Sequence, residues 1–156
     1  MIIAGTGHRP QFCPCGFDKS HKWLEQLRGR IRHVLKSQSW ECVNSGGAIG
    51  FDTWLAQEAL NLDIPVEIYS PFKGQGTKWP KATREEYSRI LECARKVYYT
   101  SDEYYQQVFF DRDADLIKNA DTVVSLLNPE AKKGGTFHTV NLAKKANKKI
   151  INVWTD

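Results

Sequence analysis

Residues 41–52 read ECVNSGGAIGFD, and this stretch decides the fold. Its pattern is typical of a buried strand, a glycine-rich turn and the first turn of a helix that we predict from about Phe51 to Leu62. Gly46, Gly47 and Gly50 lack the side chains that keep a ligand away from the backbone. The free N–H groups of the turn and of the helix terminus would then face one point, which favours a phosphate or carboxylate. We interpret the stretch as an anion-binding turn.

Two further stretches combine a glycine turn with the end of a strand or the start of a helix. GTGHRP at residues 5–10 follows the first predicted strand, and GGTFHT at residues 134–139 precedes the last predicted helix. An ordinary strand–helix connection also uses glycine, so one such turn is weak evidence. In an open parallel sheet, however, these turns all emerge at the carboxyl ends of the strands, where such folds bind ligands. The three stretches together predict one shared pocket.

Strand and helix patterns alternate along the whole chain. The predicted strands are Ile2–Gly5, Glu41–Asn44, Ile64–Tyr69, Lys96–Thr100, Thr122–Leu127 and Lys149–Val153. The predicted helices are Ser20–Gln38, Phe51–Leu62, Thr83–Ala94, Glu103–Asn119 and Thr136–Ala146, the third placed by a Thr83–Glu86 capping box. Parallel neighbours need crossover connections, so this alternation predicts an α/β fold, a parallel sheet of about six strands with helices on both faces.

The composition suits a single domain that spans residues 1–156. The chain is 41% hydrophobic, and its first residues enter a strand without the features of a signal peptide. No apolar run is long enough to cross a bilayer, so we expect a cytoplasmic protein without a membrane partner. The net charge of +4 is compatible with anionic partners. The basic clusters lack interleaved aromatic residues, so solvated helix faces explain them better than nucleic-acid binding does.

The four cysteines are expected to be free thiols, because a cytoplasmic chain lies in a reducing compartment. Cys42 and Cys93 have apolar neighbours in the sequence and are predicted to be in the core. Cys13-Pro14-Cys15 could form a metal site together with His8 and His21. The C-x-C spacing is unusual for zinc, and a plain surface loop is the simpler explanation, so we predict no metal.

Several polar residues near the glycine turns have both a structural and a functional explanation. Asp52 either caps its helix or hydrogen-bonds a ribose hydroxyl, and a catalytic role is the less favoured alternative. Arg9 either binds phosphate or forms a salt bridge that holds its loop. His8 either transfers protons or bonds to the loop backbone. Thr136 and Thr139, at the start of the last helix, are each a cap or a phosphate ligand.

A long loop at the same predicted edge, residues 70–80, contains two aromatic residues. Phe72 and Trp79 could sandwich a base, although anchoring the loop to its own domain is an equally common role for aromatic side chains. The G-x-x-x-x-G-K-[ST] pattern of magnesium-dependent phosphoryl transfer is absent from the sequence. We therefore predict no cofactor.

The chain resembles the SLOG (Smf/LOG) superfamily, and within it the YpsA-like branch. The resemblance is carried by GTGHRP at residues 5–10, GGAIGFD at residues 46–52 and GGT at residues 134–136. Further matching features are Pro71-Phe72, Trp79-Pro80, Tyr87, and Arg112 ahead of Ala120-Asp121. This resemblance implies a Rossmann-like fold that binds nucleotides or nucleotide-derived molecules, with Arg112 as a second anion contact and a homodimer as the expected assembly. Members of the superfamily include phosphoribohydrolases, a DNA-processing protein and sensors of ADP-ribose-type signals, so fold likeness leaves the activity open.

One position departs from the phosphoribohydrolase pattern P-G-G-x-G-T-x-x-E. Thr139 stands where that motif has its glutamate, and a hydroxyl cannot stabilise an oxocarbenium-like centre as a carboxylate does. We therefore expect a protein that binds a nucleotide or an ADP-ribose-like derivative without turnover. The alternatives are an N-glycosidase of nucleoside monophosphates that uses Asp52 and, third, a single-strand nucleic-acid binder. The predicted ligand-binding residues are Gly5, Thr6, Gly7, His8, Arg9, Ser45, Gly46, Gly47, Ala48, Asp52, Phe72, Trp79, Arg112, Gly134, Gly135, Thr136 and Thr139.

Overall fold

The computed structural model describes residues 1–155 and contains a six-stranded, all-parallel sheet. The strands are β1 (Ile2–Gly7), β2 (Cys42–Ser45), β3 (Val66–Phe72), β4 (Lys96–Ser101), β5 (Thr122–Leu126) and β6 (Lys149–Asn152). The helices are α1 (Lys22–Lys36), α2 (Phe51–Asn61), α3 (Lys81–Cys93), α4 (Val108–Lys118) and α5 (Gly135–Lys145), and a short 3-10 helix spans Pro10–Phe12. The predicted α/β fold class is confirmed.

The strand order β4-β3-β2-β1-β5-β6 places β1 in the middle of the sheet. The chain first builds the sheet outward from β1 to β4, and then crosses to the other side of β1 to add β5 and β6. The loops that leave β1 and β5 therefore lead to helices on opposite faces. Ligands in open α/β sheets bind in the crevice that this change of direction creates.

Two hydrophobic cores cover the two faces of the sheet. The larger core contains Ile3 and Val124 together with apolar side chains of α1, α2 and α3. The smaller core contains Ala4 and Val123 with side chains of α4 and α5. Neighbouring residues of a strand point to opposite faces, which is why Ile3 and Ala4 belong to different cores.

Gly5 and Gly7 allow α2 to pack closely against β1. A methyl group added at Gly7 would lie 2.5 Å from Cβ of Phe51, and one added at Gly5 would collide with Leu55. Phe51 and Leu55 are both wholly buried, so neither side chain has room to move. These two glycines are thus required by the packing of the core, in addition to any contact that their backbone makes with a ligand.

Two predicted helix starts are wrong. Helix α3 begins at Lys81 after Pro80, so Thr83 lies inside the first turn and does not cap it. Helix α4 begins at Val108, five residues after the predicted Glu103. The preceding residues form a turn in which the Ser101 hydroxyl accepts a hydrogen bond from the Glu103 N–H at 3.2 Å. That bond satisfies the backbone locally and delays the helix.

The cysteines also differ from the prediction. Cys93 is exposed at the end of α3, whereas Cys42 is buried as expected. Cys13 and Cys15 are buried in the larger core, so the segment is not the predicted surface loop. Burial raises the pKa of Cys13 to about 12, which keeps its thiol neutral. Residues 1–155 contain no cluster of three or more histidine, cysteine or acidic side chains suited to a metal ion.

His21, the remaining member of the candidate metal set, has a structural role. Its Nδ1 accepts a hydrogen bond from the Trp23 N–H at 3.0 Å, so the ring caps the start of α1. Within residues 1–155, no helix has the length and apolar character needed to cross a membrane.

The packing of β1 on α2 leads to the first testable prediction. We expect Gly7→Ala to lower the free energy of unfolding by about 1–3 kcal/mol, because the added methyl group overlaps the buried Phe51 ring. Gly29→Ala is the control, since Gly29 lies within α1, where an added methyl group would meet only Arg32 Nη2 at 3.7 Å, and the variant should gain up to about 1 kcal/mol. Urea denaturation measures both. A Gly7→Ala protein as stable as the parent would contradict this account of the glycine.

Candidate functional site

A cavity of about 680 Å³ lies at the carboxyl ends of the central strands. All three glycine-containing stretches contribute to its wall, through Gly5–Arg9 at the end of β1, Ala48 and Asp52 after β2, and Lys132–Thr136 after β5. Helix α4 forms another part of the wall. A volume of this size is in the range of small-molecule and cofactor sites. Of the predicted site residues, the structure brings together in this cavity Gly5, Thr6, Gly7, His8, Arg9, Ala48, Asp52, Arg112, Gly134, Gly135 and Thr136.

Two amides of the turn after β2 are bonded within the turn itself. Its Gly47 N–H donates to Ser45 Oγ at 3.2 Å, and its Ala48 N–H donates to Asp52 Oδ2 at 3.2 Å. A methyl group at Gly46 would meet the Arg112 guanidinium at 2.6 Å. Ser45, Gly46 and Gly47 are absent from the cavity wall. Our interpretation of this stretch as an anion-binding turn is therefore corrected, because the Gly47 and Ala48 amides and the space over Gly46 are taken by the protein itself.

Arg112 is the side chain that occupies this turn. It is 6% exposed, and its Nη1 donates to the carbonyl oxygens of Gly46 at 2.9 Å and Tyr69 at 3.3 Å. Its Nε donates to Asp113 Oδ1 at 2.8 Å. Arg112 thus joins α4 to the ends of β2 and β3. It also lines the cavity, but most of its hydrogen-bonding capacity is already used within the fold.

Thr139 lies behind the cavity and contacts Asp113. Its hydroxyl is 2.9 Å from Asp113 Oδ2 and 2.9 Å from the Gly135 carbonyl oxygen, and the side chain is wholly buried. The residue is absent from the cavity wall, in contrast to its predicted contact with the ligand. Thr139, which stands where the phosphoribohydrolase pattern has its glutamate, therefore contacts the Asp113 carboxylate of the neighbouring helix α4.

Asp52 reaches the cavity with one carboxylate oxygen unused. Oδ2 accepts the Ala48 N–H, while Oδ1 has no hydrogen-bond partner within residues 1–155. Burial raises the pKa of Asp52 to about 6, with nearby Asp113 adding to the effect and Arg112 opposing it. Asp52, Arg112 and Asp113 form the buried part of the cavity, which we call the floor. Two carboxylates and one guanidinium give the floor a net negative charge when both acids are ionised.

The exposed edge of the cavity has the opposite charge. Arg9, Lys132 and Lys133 line it, and none of them forms an ion pair with another residue of the described chain. We call these three residues the rim. Sequence reasoning missed the two lysines, although their position directly before Gly134-Gly135 is a usable signal. The salt bridge considered as the structural role of Arg9 is absent among residues 1–155.

The start of α5 faces the cavity without an internal cap. Gly134 precedes the helix with φ of 103° and supplies no capping side chain, so the first N–H groups of α5 are available to a ligand. Thr136 and Thr6 both line the cavity, are 8% and 7% exposed, and have hydroxyls without a hydrogen-bond partner in the described residues. Both hydroxyls are therefore open to the cavity and can bond to a ligand.

His8 has the structural role that the sequence left open. Its Nε2 accepts a hydrogen bond from the Asn128 N–H at 2.9 Å, which links the loops after β1 and β5. Burial lowers the pKa of His8, in agreement with a neutral ring that accepts at this nitrogen.

The aromatic residues at the cavity are not the predicted ones. Phe72 packs against Tyr104 with ring centroids 5.9 Å apart, and Trp79 packs against Tyr87 at 5.3 Å. Neither lines the cavity, so their predicted role as base sandwich is replaced by loop anchoring. The aromatic side chains of the wall are Phe12, Phe109 and Phe110.

The amino-acid sequence matches a known protein family. The family model described as YspA SLOG family matches residues 3–155. A UPF0398 protein of Bacillus licheniformis is 26% identical over 158 residues, which cover 95% of this chain and 85% of the relative. A UPF0398 protein of Bacillus velezensis is 26% identical over 139 residues, which cover 83% and 76%.

Two solved structures share the fold. DNA processing protein A from Streptococcus pneumoniae superposes with a TM-score of 0.66 and 16% identity, over 96% of this chain and 49% of that chain. The structural genomics target TM1055 superposes with a TM-score of 0.62 and 18% identity, over 96% and 71%. At these identities the likeness concerns the fold.

The contact between Thr139 and Asp113 gives a second prediction. We expect Thr139→Val to lower the free energy of unfolding by about 1–3 kcal/mol, because the buried Asp113 carboxylate loses a donor. Thr139→Ser should recover most of the loss. Thr77→Val is the control, since the Thr77 hydroxyl bonds to the Gly74 carbonyl at an exposed site and its loss should change stability by less than about 0.5 kcal/mol. Equal effects of the two valine substitutions in urea denaturation would refute the role of Thr139.

The raised pKa of Asp52 gives a third prediction. Folding favours the protonated acid, so this group stabilises the fold below pH 4 and the stabilisation is lost as pH rises from about 4 to 6. Asp52→Asn keeps an acceptor for the Ala48 N–H without the charge. We expect the variant to match the parent near pH 4 and to exceed its free energy of unfolding by about 3 kcal/mol at pH 7.5. Asp115→Asn, at an exposed position of α4, should show no such pH-dependent gain.

Proposed function

Because the chain belongs to the YspA SLOG family, we propose that it binds a nucleotide or a nucleotide-derived molecule of the ADP-ribose type, as a sensor, carrier or sequestering module. Membership of the family supports a nucleotide-related role. The observation that carries the finer proposal is the division of one cavity into a cationic rim and an acidic floor. A phosphorylated nucleoside has the matching division into an anionic end and a hydroxyl-bearing end.

The phosphate would bind at the rim. Arg9, Lys132 and Lys133 supply unpaired positive charge there, and the start of α5 supplies free N–H groups and the positive end of its dipole. The unpartnered Thr136 hydroxyl adds a donor at the same helix terminus.

The ribose would bind at the floor. Asp52 Oδ1 is an acceptor without a partner in the described chain, and a ribose hydroxyl is a neutral donor that would bond to it. A phosphate in the same place would face two carboxylates. The base would then contact an aromatic side chain of the wall, which contains Phe12, Phe109 and Phe110.

A second function, cleavage of the N-glycosidic bond of nucleoside monophosphates, is favoured by Asp52. A carboxyl group with a pKa of about 6 inside a ligand cavity is suited to proton transfer near neutral pH. Thr139 argues against the phosphoribohydrolase route, because it carries no carboxylate and lies behind the wall. Release of adenine from AMP that stops in Asp52→Asn, with binding retained, would support the enzyme.

Single-strand nucleic-acid binding is the third function. The fold shared with DNA processing protein A and the net charge of +4 support it. Binding to an oligonucleotide that weakens steeply with salt would favour this function, and salt-independent failure to bind would exclude it. A homodimer stays a prediction and is measured by light scattering in the same samples.

Calorimetry tests the leading proposal. We expect at least one of AMP, ADP, ADP-ribose and cyclic ADP-ribose to bind, and Lys133→Gln to weaken that binding about tenfold because a charged phosphate contact is lost. Lys36→Gln, an exposed lysine at the end of α1 outside the cavity wall, is the matched control and should change nothing. Failure of the whole panel to bind at millimolar concentration would refute the proposal.

A further inference from the structure

Two aromatic side chains on the cavity wall are exposed to water. Phe12 is 64% exposed and Phe110 is 46% exposed, yet both line the cavity. Neither belongs to a hydrophobic core cluster. Large apolar side chains that are left in water at the edge of a binding cavity often mark a recognition surface.

The two rings come from opposite sides of the sheet. Phe12 lies in the loop from β1 to α1, whose next residue Cys13 packs into the core of the α1 face. Phe110 lies on α4, which covers the other face with α5. Each phenylalanine is beside a histidine: Phe12 with His8 at 6.3 Å and Phe110 with His138 at 4.5 Å between ring centroids. The cavity therefore has an aromatic pair contributed from each side.

The cationic groups come from loops that connect these two sides. Arg9 lies three residues before Phe12, and Lys132, Lys133 and the start of α5 lead to His138. An anionic group that binds the rim would thus lie between the Phe12–His8 pair on one side and the Phe110–His138 pair on the other. Two planar groups joined by a phosphate linker match this arrangement of aromatic, cationic and aromatic surfaces.

We propose that the ligand is a dinucleotide, in which two nucleobases stack on Phe12 and Phe110 while the phosphates that join them bind the rim. This inference rests on the proposed nucleotide-binding function and narrows it to ligands with a second base. A single nucleotide would leave one of the two aromatic pairs in water. The free dinucleotide and the end of an RNA strand share this chemistry. The free dinucleotide suits the cavity better, because it carries no further phosphates toward the acidic floor.

Calorimetry with diadenosine diphosphate and ADP-ribose tests the second base directly. Both molecules have adenosine, a diphosphate diester and a second ribose, and they differ only in the second adenine. We expect diadenosine diphosphate to bind at least about tenfold more tightly. Phe12→Ala and Phe110→Ala should each reduce this ratio to near one. Phe17→Ala is the matched control, because Phe17 is 70% exposed and lies outside the cavity wall.

The possible outcomes separate the inference from the proposed function. Equal affinity for the two molecules, with binding still weakened by Lys133→Gln, would overturn the dinucleotide and leave nucleotide binding intact. A tenfold ratio that survives both alanine substitutions would also overturn it. Tighter binding of hexa-adenylate than of diadenosine diphosphate would overturn the free dinucleotide in favour of a strand end. Both phenylalanines are exposed, so the variants should fold, and circular dichroism verifies this.

Discussion

The buried guanidinium of Arg112 is the constraint on which the site depends. It spans a separation of 66 residues to the Gly46 carbonyl, reaches Tyr69 as well, and forms an ion pair with Asp113 beside it. A buried charge is tolerated only where partners replace its hydration, and here two carbonyl oxygens and a carboxylate do so. These partners lie directly after β2, in β3 and in α4, so one side chain ties α4 to the strand ends in addition to its apolar contacts in the smaller core. The wall of the cavity that α4 provides follows from this contact.

The same contact separates the turn after β2 from the start of α5 as a place for an anion. Arg112 fills the space over Gly46, and the Gly47 and Ala48 amides of that turn bond to Ser45 and Asp52. The turn before α5 has no such neighbour, since methyl groups built at Gly134 and Gly135 meet nothing within 4 Å. Two glycine turns that look alike in sequence thus have different roles, which their surroundings decide.

This difference shows which features of the structure could be predicted from the sequence alone and which could not. Strand periodicity and glycine turns are local patterns, so the parallel α/β fold and the meeting of three turns at one edge were predictable from them. The side chain that fills the turn after β2 belongs to Arg112, which is 66 residues away from Gly46 in the chain. No local sequence pattern predicts such a contact. The exposed Cys93 and the late start of α4 were missed for related reasons, since apolar neighbours in sequence and helix-compatible residues do not determine burial or backbone bonding.

The charge of the floor decides how a nucleotide could enter. With Asp52 and Asp113 ionised beside a single guanidinium, a phosphate at the floor would add negative charge to a buried site that already has an excess of it. A ribose hydroxyl adds none and can donate to the free oxygen of Asp52. The favoured orientation therefore has the sugar inside and the phosphates outside, against Lys132 and Lys133. Burial of Asp52 costs stability at neutral pH, and a cost of this kind is commonly found where a residue serves a ligand and not the fold.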